Sequence, residues 1–222
     1  TKSYSTGNID NMSMLIYGSA KYSFYLLLLL SLPIIINADF LLAMWLGDVP
    51  KYTVIFVQLV LVLTMSESLA NPLVTAVLST GRIRSYQLIV GGIQLLNLPV
   101  SYLCLRMSFS PECVLVVAII ISVCCVISRV LILRSILGLP VRKFMTEVYS
   151  NIIIVFLSSL ALPFVFKVLF NSNIYIDIIC CVLSVLSAAI AIYSVGCNNT
   201  ERSFIRNKLG AYVKKTISYY RK

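Results

Sequence analysis

CVLVVAIIISVCCVISRVLIL, residues 113–133, carries a single charge, Arg129, near its end. An α-helix rises about 1.5 Å per residue and the hydrocarbon core of a bilayer is roughly 30 Å thick, so a run of this length and polarity reads as a membrane-crossing helix. Working outward, three comparable runs precede it, at about 22–42, 52–79 and 86–105, and two follow, at about 147–170 and 174–196. None shows the ten-residue apolar and polar alternation of a barrel strand, and in lipid a helix satisfies its own backbone. The expected fold is therefore an all-α polytopic membrane bundle of six transmembrane helices.

Composition points the same way. A chain of 222 residues that is 59% hydrophobic and 12% charged has more apolar surface than a soluble globule of that size can cover. Its net charge of +10 is organised by the spans: fifteen of the eighteen Lys and Arg residues fall on one side of them, among them Lys2, Lys21, Arg84, Arg134, Arg142 and Lys143, and the opposite side holds Lys51, Arg106 and Lys167. The positive-inside rule makes the basic side cytoplasmic and places both ends of the chain there. The anionic inner leaflet is the natural counter-charge, and charge spread over membrane-flanking turns needs no nucleic-acid partner. Residues 1–21 read as a cytoplasmic lead-in loop, 22–196 as the membrane domain and 197–222 as a basic tail. In that tail Ile205, Leu209, Tyr212, Val213, Ile217 and Tyr220 recur at helical spacing, which suits either an amphipathic helix on the membrane surface or a solvated tail.

The candidate functional residues are the polar ones inside the apolar runs. In the second span Thr64, Glu67, Ser68, Asn71, Thr75 and Ser79 form one helical stripe. A carboxylate at the depth of Glu67 costs at least about 2.5 kcal/mol against lipid, so it is expected to face a polar partner or a wet cavity. It reads either as an ion-sensitive group on a transport path or as a structural acid bonded to a neighbouring helix. The third span repeats the stripe with Gln87, Gly91, Gln94, Asn97 and Ser101; facing stripes can enclose a hydrophilic cavity or act as interhelical glue. Ser122, Cys125 and Arg129 share a face of the fourth span, and Arg129 is expected to snorkel to the basic surface, with a substrate contact as the less favoured alternative. Pro33, Pro72, Pro99 and Pro163 each remove a backbone hydrogen bond and are expected to kink their helices. Cys180, Ser184, Ser187, Ala188 and Ala191 make a small-residue packing ridge in the last span. The seven cysteines lack the spacing and histidine partners of a metal site, and no paired nucleophile and base is legible, so neither metal nor cofactor nor enzymatic catalysis is expected.

The segments KYSFYLLLLLSLPIIINADFLLAMWLGDVPKYTVIFVQLV (21–60), NPLVTAVLSTGRIRSYQLIVGG (71–92) and LNLPVSYLCLRMSFSPE (96–112) resemble Wzx-type polysaccharide flippases of the multidrug/oligosaccharidyl-lipid/polysaccharide exporter superfamily. The resemblance rests most on the region from Pro33 to Trp45-Leu46-Gly47-Asp48-Val49-Pro50, on Asn71-Pro72-Leu73 and on Thr80-Gly81 before the basic Arg82-Ile83-Arg84. It implies that these six helices correspond to the last six of fourteen, with an N-terminal portion of the same transporter as their partner. It also implies translocation of an undecaprenyl-diphosphate-linked oligosaccharide across a bacterial inner membrane by alternating access. With little basic inside the spans, the diphosphate is expected to be met outside this chain. A multidrug exporter of the same superfamily is the nearest alternative; a polysaccharide polymerase or a non-transporting structural membrane protein belongs to another class.

Overall fold

The computed structural model describes residues 9–81, 83–138, 140–170, 173–197, 201–203 and 206. These are helical with no strand among them, and six helical stretches are long and apolar enough to cross a membrane: Met12–Ile36, Thr53–Ser79, Ile83–Arg106, Cys113–Leu137, Val141–Leu169 and Ile174–Gly196. The chain is a polytopic all-α membrane protein. The expected fold holds; spans 2, 3, 4 and 6 lie within four residues of their predicted limits, and span 5 begins six residues earlier than predicted.

The first span departs from its prediction at both ends. Helix α1, Ile9–Ile36, continues through residues read as a lead-in loop. Met12, Ile16, Ala20, Phe24, Leu28 and Leu32 are all buried, a continuous ridge at four-residue spacing that lies against the bundle. The polar residues between them, such as Ser13 and Ser19, obscured that ridge in the sequence. At the other end α1 stops at Ile36, and Asn37 separates it from α2, Ala38–Leu46. The freed carbonyls are recovered: Gln58 Nε2 donates to Ile35 O at 2.8 Å and Lys167 Nζ donates to Ile36 O. The first eight residues and most of the basic tail, including the six residues of its predicted amphipathic face, lie outside the described residues.

The second span divides into α3, Thr53–Ser68, and α4, Ala70–Ser79; the third divides into α5, Ile83–Leu95, and α6, Asn97–Arg106. Each interruption, at Leu69 and at Leu96, falls three residues before a proline, Pro72 and Pro99 respectively. A proline lacks the N–H that the carbonyl four residues earlier needs, and its ring crowds that turn. Helix α7, Cys113–Leu137, runs unbroken to Gly138, whose left-handed backbone (φ 69°) closes the helix by donating its N–H to Arg134 O at 2.9 Å.

The fifth span opens with α8, Val141–Phe144, passes through a π-helical turn at Met145–Ser150 and continues as α9, Asn151–Leu169. Pro163 does not interrupt α9. Its missing N–H leaves Ser159 O free, and Ser187 Oγ of the next helix, α10, Ile174–Ala191, donates to that oxygen at 2.8 Å. Ser184, Ser187, Ala188 and Ala191 are buried beside it, so the predicted small-residue ridge is where α10 meets its neighbours. A second π-helical turn, Ile192–Gly196, follows. Helix α10 packs against α9 and α1; α1 packs against α3 and α4; α7 packs against α3, α4, α5 and α6. Spans 1, 5 and 6 thus form one packed group, and span 4 holds spans 2 and 3 together.

The basic end of the packed group is fastened by charge. Lys21, 5% exposed, meets both carboxylate oxygens of Glu201 at 2.8 and 3.0 Å, tying the middle of α1 to the chain after the last span. Arg202 caps the π turn by donating to the Tyr193 and Ser194 carbonyls. Burial, reinforced by the charge of Glu201, pushes the Cys197 thiol above its ordinary value.

Candidate functional site

The middle of the bilayer is where spans 2, 3 and 4 leave a cleft. Glu67 stands near the midpoint of Thr53–Ser79, Gln94 near that of Ile83–Arg106 and Cys125 at that of Cys113–Leu137. All three line one cavity of about 430 Å³, with Asn71, Asn97, Ser122 and Arg129 completing its polar wall. Leu63, Ala70, Val74, Ala118 and Ile121 supply the apolar remainder.

The helix interruptions explain how these groups come together. Glu67 sits in the last turn of α3 and Asn71 in the first turn of α4, either side of the break before Pro72. Gln94 and Asn97 straddle the equivalent break before Pro99. Broken helices at membrane depth are tolerated where the irregular backbone lines a cavity or is buried in protein. In both spans the breaks fall beside residues that line this one.

Of the seven stripe residues that are the leading candidates for a transport path, Thr64, Glu67, Ser68, Asn71, Gln87, Gln94 and Asn97, the structure gathers four: Glu67, Asn71, Gln94 and Asn97. The other three point elsewhere. Thr64 is exposed and donates to Val60 O at 2.8 Å, and Ser68 donates to Met65 O at 2.8 Å, so each hydroxyl is spent on its own helix. Gln87 is exposed nearer the basic end of α5 and lines no part of the cleft.

Arg129 is the main correction. It does not reach for the membrane surface: it is 8% exposed, donates from Nε to Tyr86 Oη at 3.2 Å and lines the cleft about two turns inside the end of α7. A partner one span away holds the guanidinium inward, and its spacing in the sequence carried no sign of Tyr86. The little that is basic inside the spans thus includes a guanidinium on the cleft wall. Ser66 was likewise missed. Its hydroxyl pairs with that of Ser122 at 3.1 Å, joining α3 to α7 beside the cleft.

The Glu67 side chain makes no ion pair and no hydrogen bond with another described residue, and it is exposed where it lines the cleft. The side chains of Asn71 and Gln94 are equally unengaged among the described residues, whereas Asn97 Oδ1 accepts from Ser101 at 3.2 Å. A wall with one carboxylate, one guanidinium and several amides can bind a hydrated polar headgroup by complementary hydrogen bonds and charge. No group of three or more metal-ligating side chains occurs among the described residues.

Fold and site together define a multi-pass membrane protein with a polar cleft at mid-membrane. No protein family, curated protein or solved structure matches the chain.

Proposed function

We propose that the chain is the cleft-bearing portion of a transporter that moves an undecaprenyl-diphosphate-linked oligosaccharide from the inner to the outer leaflet of a bacterial inner membrane. The observation that supports this reading best is the convergence of polar side chains from three spans on one mid-membrane cleft. A sugar diphosphate is too polar for hydrocarbon and needs such a surface, while its lipid tail stays in the bilayer. Amides of Asn71, Gln94 and Asn97 suit sugar hydroxyls. Arg129 suits a phosphate oxygen, because a guanidinium donates charge-assisted hydrogen bonds in a fixed fork.

The remaining walls of the path belong, in this reading, to an N-terminal portion of the same transporter, and the basic face with both chain ends is cytoplasmic. Export of a small cation by a related exporter is the second reading, favoured by the unpaired Glu67. The guanidinium in the same wall opposes it.

Complementation of surface polysaccharide in a flippase-deficient strain by the full-length protein tests the proposal. Glu67→Gln and Arg129→Gln are each expected to lower polysaccharide export at least tenfold at normal expression. Undiminished export by both variants, or loss of cation resistance without change in polysaccharide, overturns it.

A further inference from the structure

A second cavity, about 350 Å³, opens beside α4 on the side of α1. Asn71, Pro72, Thr75, Ala76 and Ser79 line it from α4, and Met12, Leu15, Ile16 and Ser19 from α1. Asn71 belongs to both cavities. Ser79 is the last residue of α4, and α5, with Arg84 in its first turn, starts four residues later, so the groove begins at the basic face of the membrane. Glu67, Asn71, Thr75 and Ser79 follow one another at four-residue intervals, and the twelve residues between Glu67 and Ser79 correspond to about 18 Å of helix. That is the distance from the basic end of the span to mid-membrane.

The chemistry of this row is one-sided. Thr75 Oγ1 donates to Asn71 O at 3.0 Å, and Ser79 Oγ donates to Ala76 O at 2.7 Å. With their protons given to the backbone, both hydroxyls offer only oxygen lone pairs outward. Toward Glu67 the row therefore presents hydroxyl oxygens, then an amide, then a carboxylate. Apart from the N–H donors of the Asn71 amide, such a row accepts hydrogen bonds from water and attracts small hydrated cations. A groove of this volume has room for on the order of ten waters, and its polar wall supplies the partners that a membrane water needs.

We propose that Ser79, Thr75 and Asn71 form a hydrated lane that admits water and small monovalent cations from the basic face to Glu67, with Asn71 as the junction between groove and cleft. The lane deepens the reading of Glu67 as a working group of a transport cleft and rests on it. Its test measures water access alone, so it stands or falls separately from export.

Single cysteines at positions 67, 75, 78 and 79 of the full-length protein are exposed to a membrane-impermeant cationic methanethiosulfonate in inverted and right-side-out vesicles. Labelling is taken as the increment over the unsubstituted chain. Thiols react as thiolates, which need water, so a lipid-facing cysteine stays inert. Leu78, 48% exposed and lining neither cavity, is the control. Thr75→Cys and Ser79→Cys are expected to label at least tenfold faster than Leu78→Cys, and only from the basic face. Adding Asn71→Leu is expected to slow labelling of Glu67→Cys from that face at least tenfold while sparing Ser79→Cys, which also reports correct insertion. Thr75→Leu, which plugs the groove and leaves the Asn71 side chain in place, is expected to have the same effect on Glu67→Cys. Equal labelling at 75 and 78, or unchanged labelling at 67 with both plugs in place, overturns the lane.

Discussion

The two sides of this bundle treat polar groups in opposite ways. In the group formed by spans 1, 5 and 6, inward polar atoms are repeatedly met from a neighbouring segment: Lys21 by Glu201, Ser159 O by Ser187, and Ile36 O by Lys167. Around spans 2 and 3, Glu67, Asn71, Gln87 and Gln94 have no side-chain partner among the described residues. Burial is greatest in span 1, at 44% of its apolar window, and least in spans 2 and 3, at 17% and 11%, with spans 4, 5 and 6 between them. A polar group in hydrocarbon costs several kcal/mol when unsatisfied, so the two sides represent two solutions. One side spends most of its polar groups on holding helices together, with Asn37 Oδ1 and Tyr149 Oη buried there without a partner among the described residues. The other joins its helices through Ser66–Ser122 and Arg129–Tyr86 and keeps Glu67, Asn71 and Gln94 open to a cleft.

Mutations separate these solutions. The largest expected effect is at the buried ion pair. Lys21→Met leaves Glu201 with its charge and without its main partner, and is expected to destabilise the protein by about 3 kcal/mol, read as a shift in the denaturation midpoint in detergent. Lys21→Met with Glu201→Met is expected to recover most of that loss; a double variant as unstable as the single one breaks the assignment. Next comes Gly196, where an added Cβ would lie 2.8 Å from the Tyr25 ring. Gly196→Ala is expected to cost about 2 kcal/mol through overpacking, relieved when Tyr25 is replaced by Ala.

Ser187→Ala is expected to cost about 1 kcal/mol, because Ser159 O loses its donor. In a Pro163→Ala background the restored helix N–H meets that oxygen, and the Ser187 effect is expected to vanish; persistence there would show that the serine matters only for packing. On the open side, Glu67→Gln and Gln94→Leu are expected to change stability by no more than about 0.5 kcal/mol while impairing export. A stability loss as large as that of Lys21→Met would erase the distinction between the two sides. The smallest effect is kinetic. Because burial and Glu201 raise the Cys197 thiol, its alkylation at neutral pH is expected to be slower than that of an ordinary thiol, and its rate to keep rising beyond the pH at which an ordinary thiol levels off.

The cleft was partly legible in the sequence. Glu67, Asn71, Gln94 and Asn97 stood out as polar residues in apolar runs, and each reaches the cavity. Thr64 and Ser68 shared their stripe but not their destination, because a short hydroxyl can return its proton to its own helix while Glu, Asn and Gln side chains reach past it. Arg129 was misjudged for the opposite reason. A long basic side chain two turns from a membrane surface can go either way, and the Tyr86 hydroxyl that decides it is 43 residues distant. The prolines also differed in outcome. Pro72 and Pro99 interrupt their helices, whereas Pro163 leaves α9 continuous because a neighbouring serine satisfies the carbonyl it frees. Pro33 sits within α1, whose end falls later, at Asn37.

The number of spans and their helical form follow from the sequence alone, because bilayer thickness and backbone hydrogen bonding act on each segment by itself. The uneven charge of the connectors is likewise a property of the string. Which polar residue meets a neighbour, a cleft or lipid was decided only by the tertiary structure. Each of those outcomes depends on a partner brought in by another helix, and a residue's own spacing holds no record of what the opposite helix presents.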